Sequence, residues 1–232
     1  MGRKMNNIKT LIVGIAMLVT LTANALNITI YDGASSALTG WHGQQENQET
    51  EPNTATSQLW DMESFELNGN QLTMTGGYNF TSVTGYGGFT PGDIFFDVNG
   101  GGYDFVATVS SAGPTYNVYK LPANTYSVYY AQNAASNPWK YKSGGILEES
   151  LLPVSYGSFL DVEGTHYTAT LNITWLLDNL ANGDVVTIHN TMGCGNDNLM
   201  GRFEHTVPEN GNMLAMFGLG GVALAAIKRK QV

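Results

Sequence analysis

An all-β fold, an antiparallel β-sandwich with a jelly-roll-like arrangement, is what the sequence predicts for its central region, residues 26–206. Three observations predict it. Short runs alternate apolar with polar residues, the pattern of a half-buried strand. Gly, Asn and Pro punctuate these runs at short intervals, as turns between strands require. Helical periodicity is almost absent, and 28 Gly and 12 Tyr in 232 residues suit strands and turns better than helices.

The elements follow in order. Residues 26–31 alternate Leu, Ile and Ile with Asn and Thr. Residues 64–67 and 71–75 flank Asn68-Gly69-Asn70, a strong hairpin signal. Gly76-Gly77 then turns the chain into a strand over 78–84. Residues 93–98 and 103–110 flank Asn99-Gly100-Gly101-Gly102, a second hairpin. A third is expected where 115–121 and 125–131 flank Pro122-Ala123-Asn124. Residues 165–174 and 184–190 supply the last strands, with one helical turn over 175–180. Residues 44–57, rich in Gln, Glu, Asn and Thr, read as a solvated loop. No linker divides the region and no internal repeat emerges.

Charge narrows the partners. Only Lys120, Lys140, Lys142 and Arg202 are basic within 26–207, against every acidic residue of the chain's 19 except Glu209, which leaves this region near −14. Nucleic acid is excluded as an expected partner, because a phosphate backbone wants clustered Lys and Arg. Cations or uncharged polar ligands fit such a balance better. Cys194 is the sole cysteine, so no intramolecular disulfide forms; a small buried hydrophobe is its expected role.

The two ends differ from the centre. Arg3, Lys4 and Lys9 precede an apolar run over 11–21, and Ala23-Asn24-Ala25 supplies a small-x-small cleavage site before Leu26. These are the three parts of a signal peptide over 1–25, and an eleven-residue run is too short to span a bilayer core of roughly 30 Å. The opposite end reads Val207-Pro208-Glu209-Asn210-Gly211, then an uncharged apolar segment over 213–227, then Lys228, Arg229 and Lys230. As a helix that segment would be about 22 Å long, short for a permanent span and suited to a transient membrane contact. The basic cluster would hold its end on the cytoplasmic side.

That succession of a Val-Pro-Glu motif, a glycine-containing apolar segment and a basic end resembles the PEP-CTERM sorting signal. The Val-Pro-Glu-Asn-Gly form is similar to the Val-Pro-x-x-Gly variant of it, since Asn210 stands where a second proline is usual. The resemblance implies export through the inner membrane, and processing of residues 207–232 by exosortase, a membrane-embedded cysteine protease of exopolysaccharide-producing Gram-negative bacteria. It implies a destination in the cell envelope, at the cell surface or in the extracellular matrix. The run Cys194-Gly195-Asn196-Asp197 is similar to the close of many such ectodomains, on their last strand. The resemblance carries no known activity for the domain.

Two constellations could carry chemistry. Asp93, Asp97, Asn99 and Asp104 surround one Gly-rich turn, as oxygen ligands for Ca²⁺ do. The same residues also suit a hairpin whose Asp and Asn bond their own backbone, and no other cofactor is expected. Tyr126, Tyr129, Tyr130, Trp139 and Tyr141 crowd one stretch and could stack on sugar rings; core packing is the competing role for such residues. His42, His166, His189 and His205 show no zinc-ligand spacing. Glu148-Glu149 is expected in a solvated loop. The function these readings favour is a non-enzymatic surface or matrix protein that contacts extracellular polysaccharide. The alternatives are a glycan hydrolase or lyase on the same sandwich, which needs carboxylates facing one cleft, and a Ca²⁺-stabilised adhesin module.

Overall fold

The computed structural model describes residues 25–30, 50–51, 54–55, 57–81, 88–110, 113–123, 125–162 and 164–207. Thirteen antiparallel strands account for most of them. They are β1 (Leu26–Asn27), β2 (Thr29–Ile30), β3 (Met62–Asn68), β4 (Gln71–Gly76), β5 (Ile94–Val98), β6 (Phe105–Val109), β7 (Thr115–Lys120), β8 (Tyr126–Tyr129), β9 (Lys140–Gly144), β10 (Ile146–Leu160), β11 (Thr165–Asn172), β12 (Val185–Thr191) and β13 (Asn198–Glu204). Among the described residues, helix is confined to 3-10 turns at Gln58–Trp60 and Ala134–Ser136 and one α-turn, Thr174–Leu177. Among the described residues no helix is long and apolar enough to cross a membrane; residues 213–227 lie outside them.

Eleven strands form one sheet in the order β1-β3-β4-β11-β10-β7-β6-β5-β12-β13-β2. Its two edges belong to the same short stretch of chain. Leu26 and Asn27 pair with Leu67 and Glu66, whereas Thr29 and Ile30 pair with Gly201 and Met200. Between them Ile28 donates to the Phe65 carbonyl and accepts from Arg202 N, at 2.9 and 2.7 Å. The 26–30 stretch therefore acts as a closing stave, and the sheet is a near-closed barrel. Closure satisfies edge groups that an open sheet would expose. Gly201 makes the seam possible: a Cβ there would stand 2.9 Å from the Phe65 ring.

β10 joins the two halves of the barrel. Its first part, from Ile146 to Pro153, pairs with β7, and its second, from Val154 to Leu160, pairs with β11. Pro153 sits at the handover, where its missing N–H disturbs the ladder least. Alternation then fills the interior. Ile28, Phe65, Leu72, Ile94, Phe96, Leu171 and Ile188 are fully buried in one apolar core.

The hairpins predicted around Asn68-Gly69-Asn70 and Asn99–Gly102 are present as β3–β4 and β5–β6. The third predicted hairpin is not. β7 pairs with β6 and β10, while β8 pairs with β9 in a separate two-stranded sheet. Residues 78–81 form turns rather than a strand, and Glu148-Glu149 lies on β10 rather than in a loop.

Candidate functional site

The β8–β9 hairpin rides on the outside of the barrel wall. Phe95 on β5 and Val106 on β6 point outward, and both are fully buried because the hairpin covers them. Tyr126 and Val128 of β8, with Tyr141 of β9, complete this second apolar cluster beside Leu121, Tyr103 and Tyr119. Tyr119 and Tyr141 stack with ring centres 4.5 Å apart. Burial pushes the Tyr103 hydroxyl up to about 12, helped by neighbouring Tyr126 and Asp97.

A buried carboxyl fastens the hairpin down. Asp93 accepts from Val109 N on β6 at 3.2 Å and from Tyr141 N on β9 at 2.8 Å, and its own N–H donates to the Trp139 carbonyl. Burial pushes its pKa up to about 7, against the lowering effect of the Tyr141 bond and of Lys140. His189, opposite Phe95 on β12, is buried on the same wall; burial takes it down to about 4 although it meets the Pro138 carbonyl. Gly92 lets the segment pass, since a Cβ there would lie 2.3 Å from the Thr191 carbonyl oxygen and 2.6 Å from that of Trp139.

The five predicted aromatic ligand residues divide accordingly. Tyr126 and Tyr141 face the wall. Trp139 is half-buried, its indole donating to the Thr90 carbonyl at 3.2 Å and wedged beside Gly92 and Gly193. Tyr129 and Tyr130 face solvent, 48% and 71% exposed. Two cations stand beside Tyr129 and Trp139. The Lys142 ammonium lies 5.4 Å from the Tyr129 ring centre, and that of Lys140 lies 5.1 Å from the Trp139 ring. Ser127 and Ser143 pair through their hydroxyls at 2.8 Å across the same outer face. Tyr126, Ser127, Val128 and Tyr130 line an open groove of about 440 Å³.

The four candidate calcium ligands do not stay together. Asp93 is at the far end of β5 from the turn, under the hairpin. The other three remain at the β5–β6 turn and are bound up locally. Asp104 accepts from Val98 N at 2.7 Å, and Asp97 accepts from Gly102 N at 3.4 Å. Asn99 accepts from Val185 N and donates to Asp184, at 3.0 and 2.8 Å. Among the described residues no group of three or more His, Cys, Asp or Glu is placed to hold a metal.

A second polar cluster joins residues that the sequence keeps far apart. His166 on β11, 1% exposed, meets Glu63 on β3 through Nδ1 at 2.7 Å and Asp161 through Nε2 at 2.8 Å. Glu63 is fully buried and Asp161 is 41% exposed. Gln58 donates to Glu63, reaching it across Gly77, where any Cβ would overlap the Gln58 backbone. The Phe159 ring lies parallel to the imidazole, 4.8 Å away. Burial opposes protonation of His166, but the bonds to Asp161 and Glu63 outweigh it and hold the pKa above the usual histidine value. Carboxylates converge here on an imidazole rather than on an open cleft.

Cys194-Gly195-Asn196-Asp197 forms the turn between β12 and β13, rather than lying on the last strand. It is a junction: Asp197 accepts from Met62 N at 2.5 Å and Asn198 N at 2.8 Å, and Asn196 exchanges two bonds with the Ala55 backbone. The Cys194 thiol is half-buried, and burial pushes its pKa up. Ala25 and Leu26 open the closing stave, and Val207 ends the described chain by donating to Asn182 Oδ1 at 2.9 Å. The rest of the signal region, and Pro208, Glu209, Asn210, Gly211, Lys228, Arg229 and Lys230, lie outside the described residues. An apolar hollow of about 720 Å³, walled by Leu67, Leu177 and Phe203, opens between Leu26 and Thr206 at the barrel mouth. Comparison with protein-family models, curated protein sequences and solved structures returned no match for the chain.

Proposed function

We propose that this chain is an exported bacterial protein, processed at both ends and displayed at the cell surface or in the extracellular matrix, where its hairpin face contacts polysaccharide. We take the two halves of the barrel as the layers of a jelly-roll-like sandwich that serves as the carrier. The observation that carries the binding reading is the β8–β9 hairpin itself. It is a two-stranded sheet outside the barrel, sealed below by its own aromatic cluster, with Tyr129 left open above and Tyr130, just past β8, exposed at the groove it shares with Tyr126 and Val128. Exposed rings that the fold does not need for packing are suited to the apolar faces of sugars, and hydroxyls beside them to sugar oxygens. The export reading is supported by the order of the segments at the two ends.

Retention on a panel of immobilised polysaccharides tests the binding reading, using residues 26–206, which contain every described strand. Retention on at least one member is expected. No retention on any polysaccharide or cell-surface fraction would sink it. For the export reading, the full chain should reach the surface fraction, and a Pro208→Ala, Glu209→Ala variant should accumulate in the inner membrane. Equal distribution of the two would contradict it.

A further inference from the structure

The net charge of the domain points away from anionic ligands, yet the charges are not evenly spread. Between residues 105 and 147 there is no Asp or Glu at all, while Lys120, Lys140 and Lys142 all fall within that stretch. Every acidic residue of a strongly acidic chain lies elsewhere. The fold then sorts the three lysines. Lys120 pairs opposite Phe105 at the end of β7, with its ammonium 6.0 Å from that core ring, on the inner side of the wall. Lys140 and Lys142 belong to the hairpin, beside the exposed tyrosines.

Distance decides what a ligand at this face would feel. The Debye length is about 8 Å at physiological ionic strength, so charges on the remote faces of the barrel are largely screened there. The carboxyl closest beneath the hairpin, Asp93, is buried and bonded to backbone N–H groups. Asp97 and Asp104 reach the Tyr126 end of the hairpin, where they help to raise that hydroxyl's pKa. At the opposite end, where Tyr129 pairs with Lys140, the cations of Lys142 and Lys140 stand over Tyr129 and Trp139. Each lies over an aromatic ring, which holds the cation without neutralising it; the half-buried Lys140 also donates to the Thr90 hydroxyl at 3.2 Å, whereas Lys142 is exposed.

We infer that the β8–β9 face takes an anionic polysaccharide, one whose sugars carry carboxylate or sulfate groups, with Tyr129 and Tyr130 against the rings and Lys142 and Lys140 against the anions. This rests on the polysaccharide reading above and narrows it to a ligand class. A neutral glycan would use the tyrosines alone and leave the two ring-bound cations, Lys142 and Lys140, without a role. The surrounding acidic faces would confine such a polymer to this strip, since like charge repels it elsewhere.

The test uses the full chain in a nonionic detergent on four matrices: alginate for carboxylate, dextran sulfate for sulfate ester, plain dextran, and double-stranded DNA. Retention is expected on alginate, on dextran sulfate, or on both, and the comparison of the two names the anion. Binding should weaken by about tenfold between roughly 50 and roughly 500 mM salt, as counterions compete for one or two cation contacts. Lys142→Glu should weaken it at least about tenfold, and Lys142→Met nearly as much, while Lys120→Ala leaves it unchanged. All three variants should melt with the parent, which separates lost binding from lost folding. Equal, salt-insensitive retention on plain dextran, unaffected by Lys142→Glu, would overturn the anionic class and spare the polysaccharide reading. Retention on none of the three polysaccharides would overturn both. Retention on DNA equal to that on the acidic polysaccharides would also overturn it, by showing a surface that reads charge alone.

Discussion

Two polar regions sit on the outside of this barrel wall, and they are built to opposite plans. At the rim, His166 is enclosed by Glu63, Asp161, Gln58 and Phe159, and both of its ring nitrogens are answered by a carboxylate. On the hairpin, the Tyr129 ring and the Lys142 ammonium are left open on the outer face, where only the Ser127 and Ser143 hydroxyls bond each other, and the apolar packing is all underneath. The difference teaches that a cluster of titratable side chains is not by itself a site. The rim network holds strands together; the hairpin uses one buried carboxyl to hold a surface out to solvent.

Substitutions should separate the two plans. The largest loss of stability is expected from His166→Ala. It would strand the fully buried Glu63 carboxylate without its imidazole, at a cost of about 3–5 kcal/mol. Chemical denaturation measures this, and a loss below about 1 kcal/mol would mean that the rim is as loosely held as the hairpin face. Next comes Asp93→Ala. It leaves the Val109 and Tyr141 amides unanswered, and each buried orphan donor costs about 1–3 kcal/mol. Hydrogen exchange should accelerate at Tyr141 before it does in the barrel core. Uniform acceleration would show that the hairpin is not a separate unit.

The pH dependence sharpens the same contrast. In the folded chain Asp93 keeps its proton up to about 7, against 3.8 when unfolded, so its contribution is fully present below pH 3.8 and is lost as pH rises through about 7. His189 works in the opposite sense. Its pKa falls from 6.5 to about 4, so its contribution is present above pH 6.5 and is lost as pH falls through about 4. Beneath the hairpin the two slopes offset each other between pH 4 and 6.5. Stability of Asp93→Asn should therefore rise with pH across that window, and stability of His189→Gln should fall. Parallel curves for both variants and the parent would refute the assignment. At the rim, His166 is raised above 6.5 and its contribution is lost as pH climbs past that value; His166→Gln should remove this decline.

Much of the framework was legible in the sequence, because strand alternation and turn residues are local signals. Asn68-Gly69-Asn70 and Asn99–Gly102 declare hairpins, and the strands beside them follow. The third hairpin failed because Pro122-Ala123-Asn124 marks a turn without saying which strands it joins. There the chain leaves the barrel wall instead of doubling back along β7. β10 escaped notice because Pro153, Gly157, Glu148-Glu149 and two register shifts break its alternation. The aromatic stretch was visible, but only pairing decides that Tyr126 and Tyr141 face the wall while Tyr129 faces out. The His166–Glu63 contact spans 103 positions and has no local signature at all. By contrast, the acid-free stretch over 105–147 is plain in the sequence once the fold shows that part of it forms one face.

The smallest expected change in stability belongs to the residues that matter most for the proposed ligand. Tyr129→Ala with Tyr130→Ala removes exposed rings and should leave folding within about 0.5 kcal/mol of the parent. Its retention on the polysaccharide that holds the parent is the most direct test of the hairpin as a binding face. The double variant should melt with the parent and bind about tenfold or more weakly, the loss expected when stacked rings are removed from a carbohydrate contact. A double variant that melts with the parent and is retained equally well would contradict the account.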